Sequence, residues 1–252
     1  MLDLIGCEFQ KLKRKKFIQL TMAAAFLFPI PLTILMAKDR MAFDQLFRAN
    51  VLMADMLLLP CVLGIIASML FFMERDNDTL KNLLAIPVSK TKILLAKLSV
   101  LLTLSVIYSV AGLGATLLGG AIVGNVEGVL YRLLISVLLG ILVLIATLPA
   151  ITVIVAKNKS YIFSIIVAFA YTIVSFAVTM MFGSNPEAVN SVASILPIPI
   201  IQKWYLNVIP VEEALSYILP FTLTTPVCFG IMGLYGAVFT MASSFFYTRA
   251  ED

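Results

Sequence analysis

"YRLLISVLLGILVLIATLPAITVIV", residues 131–155, carries one charge, Arg132, near its start and none after it. A helix needs about 20 apolar residues to cross a hydrocarbon core about 30 Å thick. This stretch meets that length with apolar residues on every face, as expected of a helix surrounded by lipid and other helices rather than by water. The only internal breaker is Pro149, and proline is tolerated in a membrane helix where neighbouring groups satisfy the freed backbone.

Working outward, five more runs of this kind lie at about 17–37, 51–73, 98–123, 161–182 and 221–247. The chain is 61% hydrophobic and 13% charged over 252 residues, against about 45–50% and about 25% in soluble domains. The expected fold is an all-α membrane protein with six transmembrane helices, forming a single transmembrane domain over 1–252. "KLKRKK" followed by "FIQLTMAAAFLF" has the look of a secretory signal, but the apolar run is long, contains Pro29 and Pro31, and shows no small-residue cleavage site before Lys38. It is read as the first span. Cys7, Cys61 and Cys228 have no metal-ligand spacing and read as small apolar residues.

Lysine and arginine in short loops set the orientation. With the N-terminus inside, only Lys38, Arg40, Arg48, Arg132 and Lys203 of the 18 basic residues fall outside. Both termini are therefore expected in the cytoplasm. The long outer connection from Gly183 to Pro220 is too apolar for a solvated loop and too rich in proline for a span. It predicts a re-entrant or interfacial pair of short helices before the sixth span, with Trp204 and Tyr205 at headgroup depth.

Several chemistries are excluded. The chain has no histidine, which removes imidazole metal sites and His-dependent triads. It has no GxxxxGK[ST] phosphate loop, so any ATP is hydrolysed elsewhere. The net charge of +4 comes mostly from the N-terminus and serves topology rather than nucleic-acid binding. Intramembrane ionisable residues are costly and informative, and Asp55 is the clear case. It either lines a cavity or meets a cationic substrate, or it reaches the outer interface and pairs with an arginine such as Arg48. Glycines at 112–124 and 230–237 have the spacing that lets helices approach closely.

The longest inner connection, "ERDNDTLKNLLAIPVSKTKILLAK" at 74–97, interrupts the apolar runs with charges. Thr79, Leu80, Leu83 and Leu84 recur at helical spacing, predicting a short amphipathic helix from about Asp78 to Ala85. Pro87 stops it, and Ser89 is placed to cap the next helix, which starts near Lys90 and runs into the third span. The leucine ridge either docks in a partner's groove or lies in lipid at the membrane surface.

This segment resembles the connection between spans two and three in permease subunits of type-2 ABC exporters. There a glutamate, a Thr-Leu pair, a leucine-rich turn, a proline and a basic residue precede the third span. The resemblance implies a coupling helix seated in a cytoplasmic ABC ATPase, with Glu74, Thr79, Leu80, Leu83, Leu84, Pro87 and Lys97 as the coupling residues. Asp78 stands where many members have glycine. "EFQKLKRKKF", residues 8–17, is similar to the interfacial N-terminal helix of these permeases. The resemblance further implies that this chain is not an enzyme and binds no cofactor. ATP and Mg2+ belong to the partner ATPase, expected in two copies, beside a second permease subunit in the bacterial cytoplasmic membrane.

Within that family, the length, the short loops and "NVIP" at 207–210 are similar to permeases that protect bacteria from lantibiotics and bacitracin-like peptides. Trp204, Tyr205, Glu212 and Glu213 in the outer hairpin, with Asp55, are the candidates for contact with an amphipathic peptide. The other readings are export of a drug, lipid or glycan, and a membrane scaffold that transports nothing.

Overall fold

The computed structural model describes residues 2–13, 16–28, 30–31, 33–34, 43–76, 89–123, 126, 128–157, 160–209 and 213–249. Among these there is no strand, and nearly all are helical. We number the α-helices α1 Leu2–Lys13, α2 Lys16–Leu27, α3 Phe43–Asn50, α4 Leu59–Asp76, α5 Lys90–Val123, α6 Val129–Ala156, α7 Tyr161–Ser184, α8 Pro186–Ala193, α9 Pro197–Val208 and α10 Thr225–Arg249. A π-helical segment, Val51–Leu58, joins α3 to α4, and a 3-10 segment, Glu213–Phe221, precedes α10.

Five helices are long and apolar enough to cross a membrane: Phe43–Phe72, Lys90–Ile122, Val129–Ala156, Tyr161–Ser184 and Thr225–Arg249. Four of them overlap the stretches expected at 98–123, 131–155, 161–182 and 221–247, the first starting earlier, at Lys90, and the last later, at Thr225. The second starts at Phe43 rather than at residue 51. Its first two turns, "FDQLFRAN", bury Phe43, Leu46, Phe47 and Asn50 while carrying Asp44 and Arg48, so an average over the window underrates them. Of the expected first span, 17–37, the described residues show α2 and further helical positions at 30, 31, 33 and 34, and the remainder lies outside the described residues.

α6 is the hub. It packs against α4, α5, α7, α9 and α10, and Leu139, Val143, Ala146, Ile151 and Ile154 are 0% exposed. The α5–α6 contact depends on Gly140: a Cβ there would lie 2.7 Å from the Val106 Cα and 3.0 Å from the Ser105 carbonyl oxygen. The backbones approach this closely because glycine leaves the space empty. Ser105 Oγ donates to the Gly140 carbonyl at 2.6 Å across the same contact. Near the break made by Pro149, which removes one backbone donor, the Tyr171 hydroxyl donates to the Ala146 carbonyl at 2.5 Å. Hydroxyls elsewhere in the spans bond back to the carbonyl four residues earlier, as Ser68, Thr147 and Thr172 do, which satisfies them where water is absent.

The contacts define two ends of the bundle. α1, the end of α4, the starts of α5 and α7, and the end of α10 meet at one, through Lys97–Glu8, Lys90–Thr248, Phe72–Tyr161 and Phe71–Tyr247. The other end holds α3, the start of α6, α8, α9 and the 3-10 segment, joined by the Arg132–Asp44 ion pair and by Tyr131 Oη on the Val208 carbonyl at 2.7 Å.

Candidate functional site

At the lysine-rich end the sequence places Lys97 eight residues into α5, inside the apolar run "ILLAKLSV". An ammonium in such a run must be paired or reach water, and Lys97 is paired. Its side chain is 0% exposed; Nζ donates to Glu8 Oε2 at 3.0 Å and to the Leu70 carbonyl at 2.9 Å, and lies 5.7 Å from the Phe71 ring centroid. Glu8 is itself buried in α1 and also accepts from Lys11 Nζ at 2.5 Å. One cation thus ties the N-terminal helix to the last turns of α4 and the first turns of α5, the two helices that flank residues 77–88.

A second tie involves the last helix. Lys90 Nζ donates to the Thr248 carbonyl at 3.3 Å, and Ser244 Oγ reaches Thr91 Oγ1 at 3.4 Å. Of the coupling residues expected from sequence, Lys97 is therefore at this junction and Glu74 lies in the last turn of α4. Thr79, Leu80, Leu83, Leu84 and Pro87 lie outside the described residues. Glu8 escaped sequence reasoning. The available signal was an acid on the buried face of a short amphipathic helix, and nothing local names its partner.

At the opposite end, α7, α9, the 3-10 segment and the α3–π junction enclose a cavity of about 260 Å³, whose lining includes Arg48, Met180, Gln202, Tyr205 and Leu215. Trp204 and Tyr205 are 1% and 2% exposed. Both rings face protein, and their placement at headgroup depth stays a sequence reading. Trp204 Nε1 donates to Thr225 Oγ1 at 3.1 Å and its ring packs on Phe229, while Tyr205 packs on Phe47. Lys203, unremarked as a site residue in the sequence, is also buried. It donates to Asn190 Oδ1 at 2.6 Å and to Ser194 Oγ at 2.7 Å, pinning α9 to the end of α8. Burial lowers its pKa from the ordinary lysine value. Glu213 opens the 3-10 segment, and Glu212 lies outside the described residues.

Asp55 sits in the middle of the π segment, 3% exposed and beside Ser109. It makes no ion pair with Arg48, which lines the larger cavity instead. Asp55 borders a separate recess of about 40 Å³ together with Thr21 and Tyr108, whose hydroxyls are hydrogen-bonded to each other. π-helical turns are rare and often mark functional positions, so Asp55 keeps its standing as a candidate on geometry as well as sequence.

No curated protein matches the chain. Residues 4–175, more than half of it, match the family described as "ABC-2 family transporter protein". Five apolar helices of membrane-crossing length agree with that match. The chain belongs to the ABC-2 transporter family, as a multi-pass membrane permease subunit that works with an ABC ATPase carried on a separate subunit.

Proposed function

We propose that this chain is one half of the membrane part of a bacterial ATP-driven exporter, a single six-span domain with both termini in the cytoplasm, which expels an amphipathic antimicrobial peptide from the cytoplasmic membrane. ATP and Mg2+ act on the partner ATPase, whose closure pushes on the leucine ridge at Leu80, Leu83 and Leu84. Coupling of this kind requires an element with two arrangements that ATP biases, here the tilt of α4 and α5 in one permease against those in a second. The observation that carries the reading is the Lys97 junction: a push on residues 77–88 would reach α4, α5 and α1 together, because Lys97 of α5 binds a group on each of the other two.

The peptide part rests on the resemblance of the outer segment, with its "NVIP", to self-protection permeases. Glu212 and Glu213 would supply negative charge for a cationic peptide, and changing both to Gln should lower resistance in cells. Leu83→Asp should leave the spans folded and the complex assembled while abolishing peptide-dependent protection and substrate-stimulated ATP hydrolysis. Normal protection by Leu83→Asp in an assembled complex refutes the coupling role. Normal protection by the double Gln variant refutes the charge role and leaves drug, lipid or glycan export as the reading to pursue.

A further inference from the structure

Asp55 lies within the π segment, 3% exposed, and no lysine or arginine among the described residues pairs with it. A buried acid inside a membrane span pairs with a cation, binds a metal ion or gives up its charge. The groups around it decide between these.

On the α5 side, two oxygens lack what they need. Asn50 Oδ1 and Ser109 Oγ, in side chains 1% exposed, have no hydrogen-bond partner among the described residues. Buried polar atoms in native proteins are nearly always paired. Ser109 lies beside Asp55 without meeting hydrogen-bond geometry. Asn50 precedes Asp55 by five residues, which is one π turn. Its Oδ1 lies 3.7 Å from where a Gly112 Cβ would stand, and Gly112 follows Ser109 by about one turn of α5. The seam between the π segment and α5 therefore carries a carboxylate, an amide oxygen and a hydroxyl oxygen on adjacent turns.

On the α2 side, Asp55 borders the recess of about 40 Å³ with Thr21 and Tyr108. Thr21 Oγ1 donates to the Ile18 carbonyl at 3.0 Å, the two hydroxyls bond each other, and Tyr108 Oη reaches the same carbonyl at 3.4 Å. Both hydroxyl protons are taken up within this trio, so the recess receives oxygen lone pairs. Its volume is close to the share of one water molecule, about 30 Å³. A single metal ion fits, and an organic cation does not.

Oxygen ligands of this kind suit hard cations. A proton on Asp55 would remove its charge but leave Asn50 Oδ1 without a donor, and a water would supply the donor but leave the charge. A metal ion of charge +1 meets both needs at once, whereas a divalent ion would bury an excess charge beside a single carboxylate. We propose that Asp55, with Asn50 and Ser109 behind it and the Thr21 and Tyr108 hydroxyls in front, forms a binding site for one small monovalent metal cation of sodium's size. The site is independent of the peptide-export reading. It would join the α3–π junction to α5 and α2 through one ion.

The test uses the full chain, purified with its associated subunits in nanodiscs, and radioactive sodium as the probe in a scintillation binding assay, with choline chloride holding the ionic strength constant. Wild type should bind sodium saturably, with displacement by unlabelled sodium chloride and none by choline chloride. Asp55→Asn, which keeps the shape and removes the charge, should abolish that binding. Ser109→Ala should raise the half-saturating sodium concentration at least threefold, and it takes the place of Asp55→Asn should the latter fail to assemble. Absence of saturable binding in wild type overturns the proposal in favour of a proton or a water at Asp55. Binding that is the same in wild type and the variants overturns it as well, by placing the sodium elsewhere in the complex.

Discussion

The Lys97 junction makes a prediction whose direction is set by geometry. Lys97 binds Glu8 and the Leu70 carbonyl among the described residues, whereas Glu8 also binds a second cation, Lys11, whose side chain is 35% exposed. Removing one partner of a buried pair costs about 3–5 kcal/mol when the other charge is left uncompensated. Glu8→Leu takes a carboxylate away from a fully buried ammonium. Lys97→Met is milder, because Glu8 retains Lys11. We therefore expect Glu8→Leu to cost about 3–5 kcal/mol and Lys97→Met about 1–2 kcal/mol, the lower figure reflecting a pair next to solvent. The double variant, which removes the buried ammonium together with this carboxylate, should be more stable than Glu8→Leu alone. At about 2–4 °C per kcal/mol for a chain of this size, Glu8→Leu should melt roughly 6–20 °C below wild type. Melting of the detergent-solubilised complex, followed by its size-exclusion peak after heating, reads all three variants. Equal losses for the two single variants, or a double variant whose loss is their sum, would show that Lys97 and Glu8 do not act as a pair.

Three further expectations use other contacts. Gly140→Ala should cost about 1–3 kcal/mol through overpacking, because the added carbon meets the Val106 backbone at 2.7 Å; a thermal melt indistinguishable from wild type would mean that α5 and α6 separate freely. Trp204→Ala should cost about 3–5 kcal/mol, as loss of a buried aromatic does, and Trp204→Phe much less; equal and small effects would restore the surface-anchor reading. Lys203, whose pKa burial lowers, holds its proton less tightly folded than unfolded. Its contribution to stability therefore rises with pH from the depressed folded pKa up to the ordinary value near 10.4. Lys203→Met should flatten that alkaline rise in a series of melts against pH, and an identical pH profile for the two proteins would refute it.

What could be read in advance follows from how local each property is. Crossing a membrane requires a window of apolar residues, a sum over neighbours in the chain, so the long apolar helices from 98 onward are legible in "ILLAKLSVLLTL" and its counterparts. The same averaging missed the start of the second long helix, because Asp44 and Arg48 lower a window whose apolar residues all face one way. The coupling residues from Thr79 to Pro87 stay a sequence reading, since the described residues stop short of them on both sides.

Partner choice is not local, and there the tertiary structure decides. Lys97 is a lone charge in an apolar run until the fold brings Glu8, 89 residues earlier, within 3.0 Å. Trp204 and Tyr205 have the composition of interfacial anchors, yet the hairpin turns both rings inward. Gln202 and Arg48 are ordinary polar residues in sequence, and they share a cavity only because α9 and α3 converge at one end of the bundle. Hydropathy determined that the chain enters the membrane. Which polar groups meet inside it depends on helix packing, because a buried charge or amide is stabilised only by groups that folding places within hydrogen-bond reach.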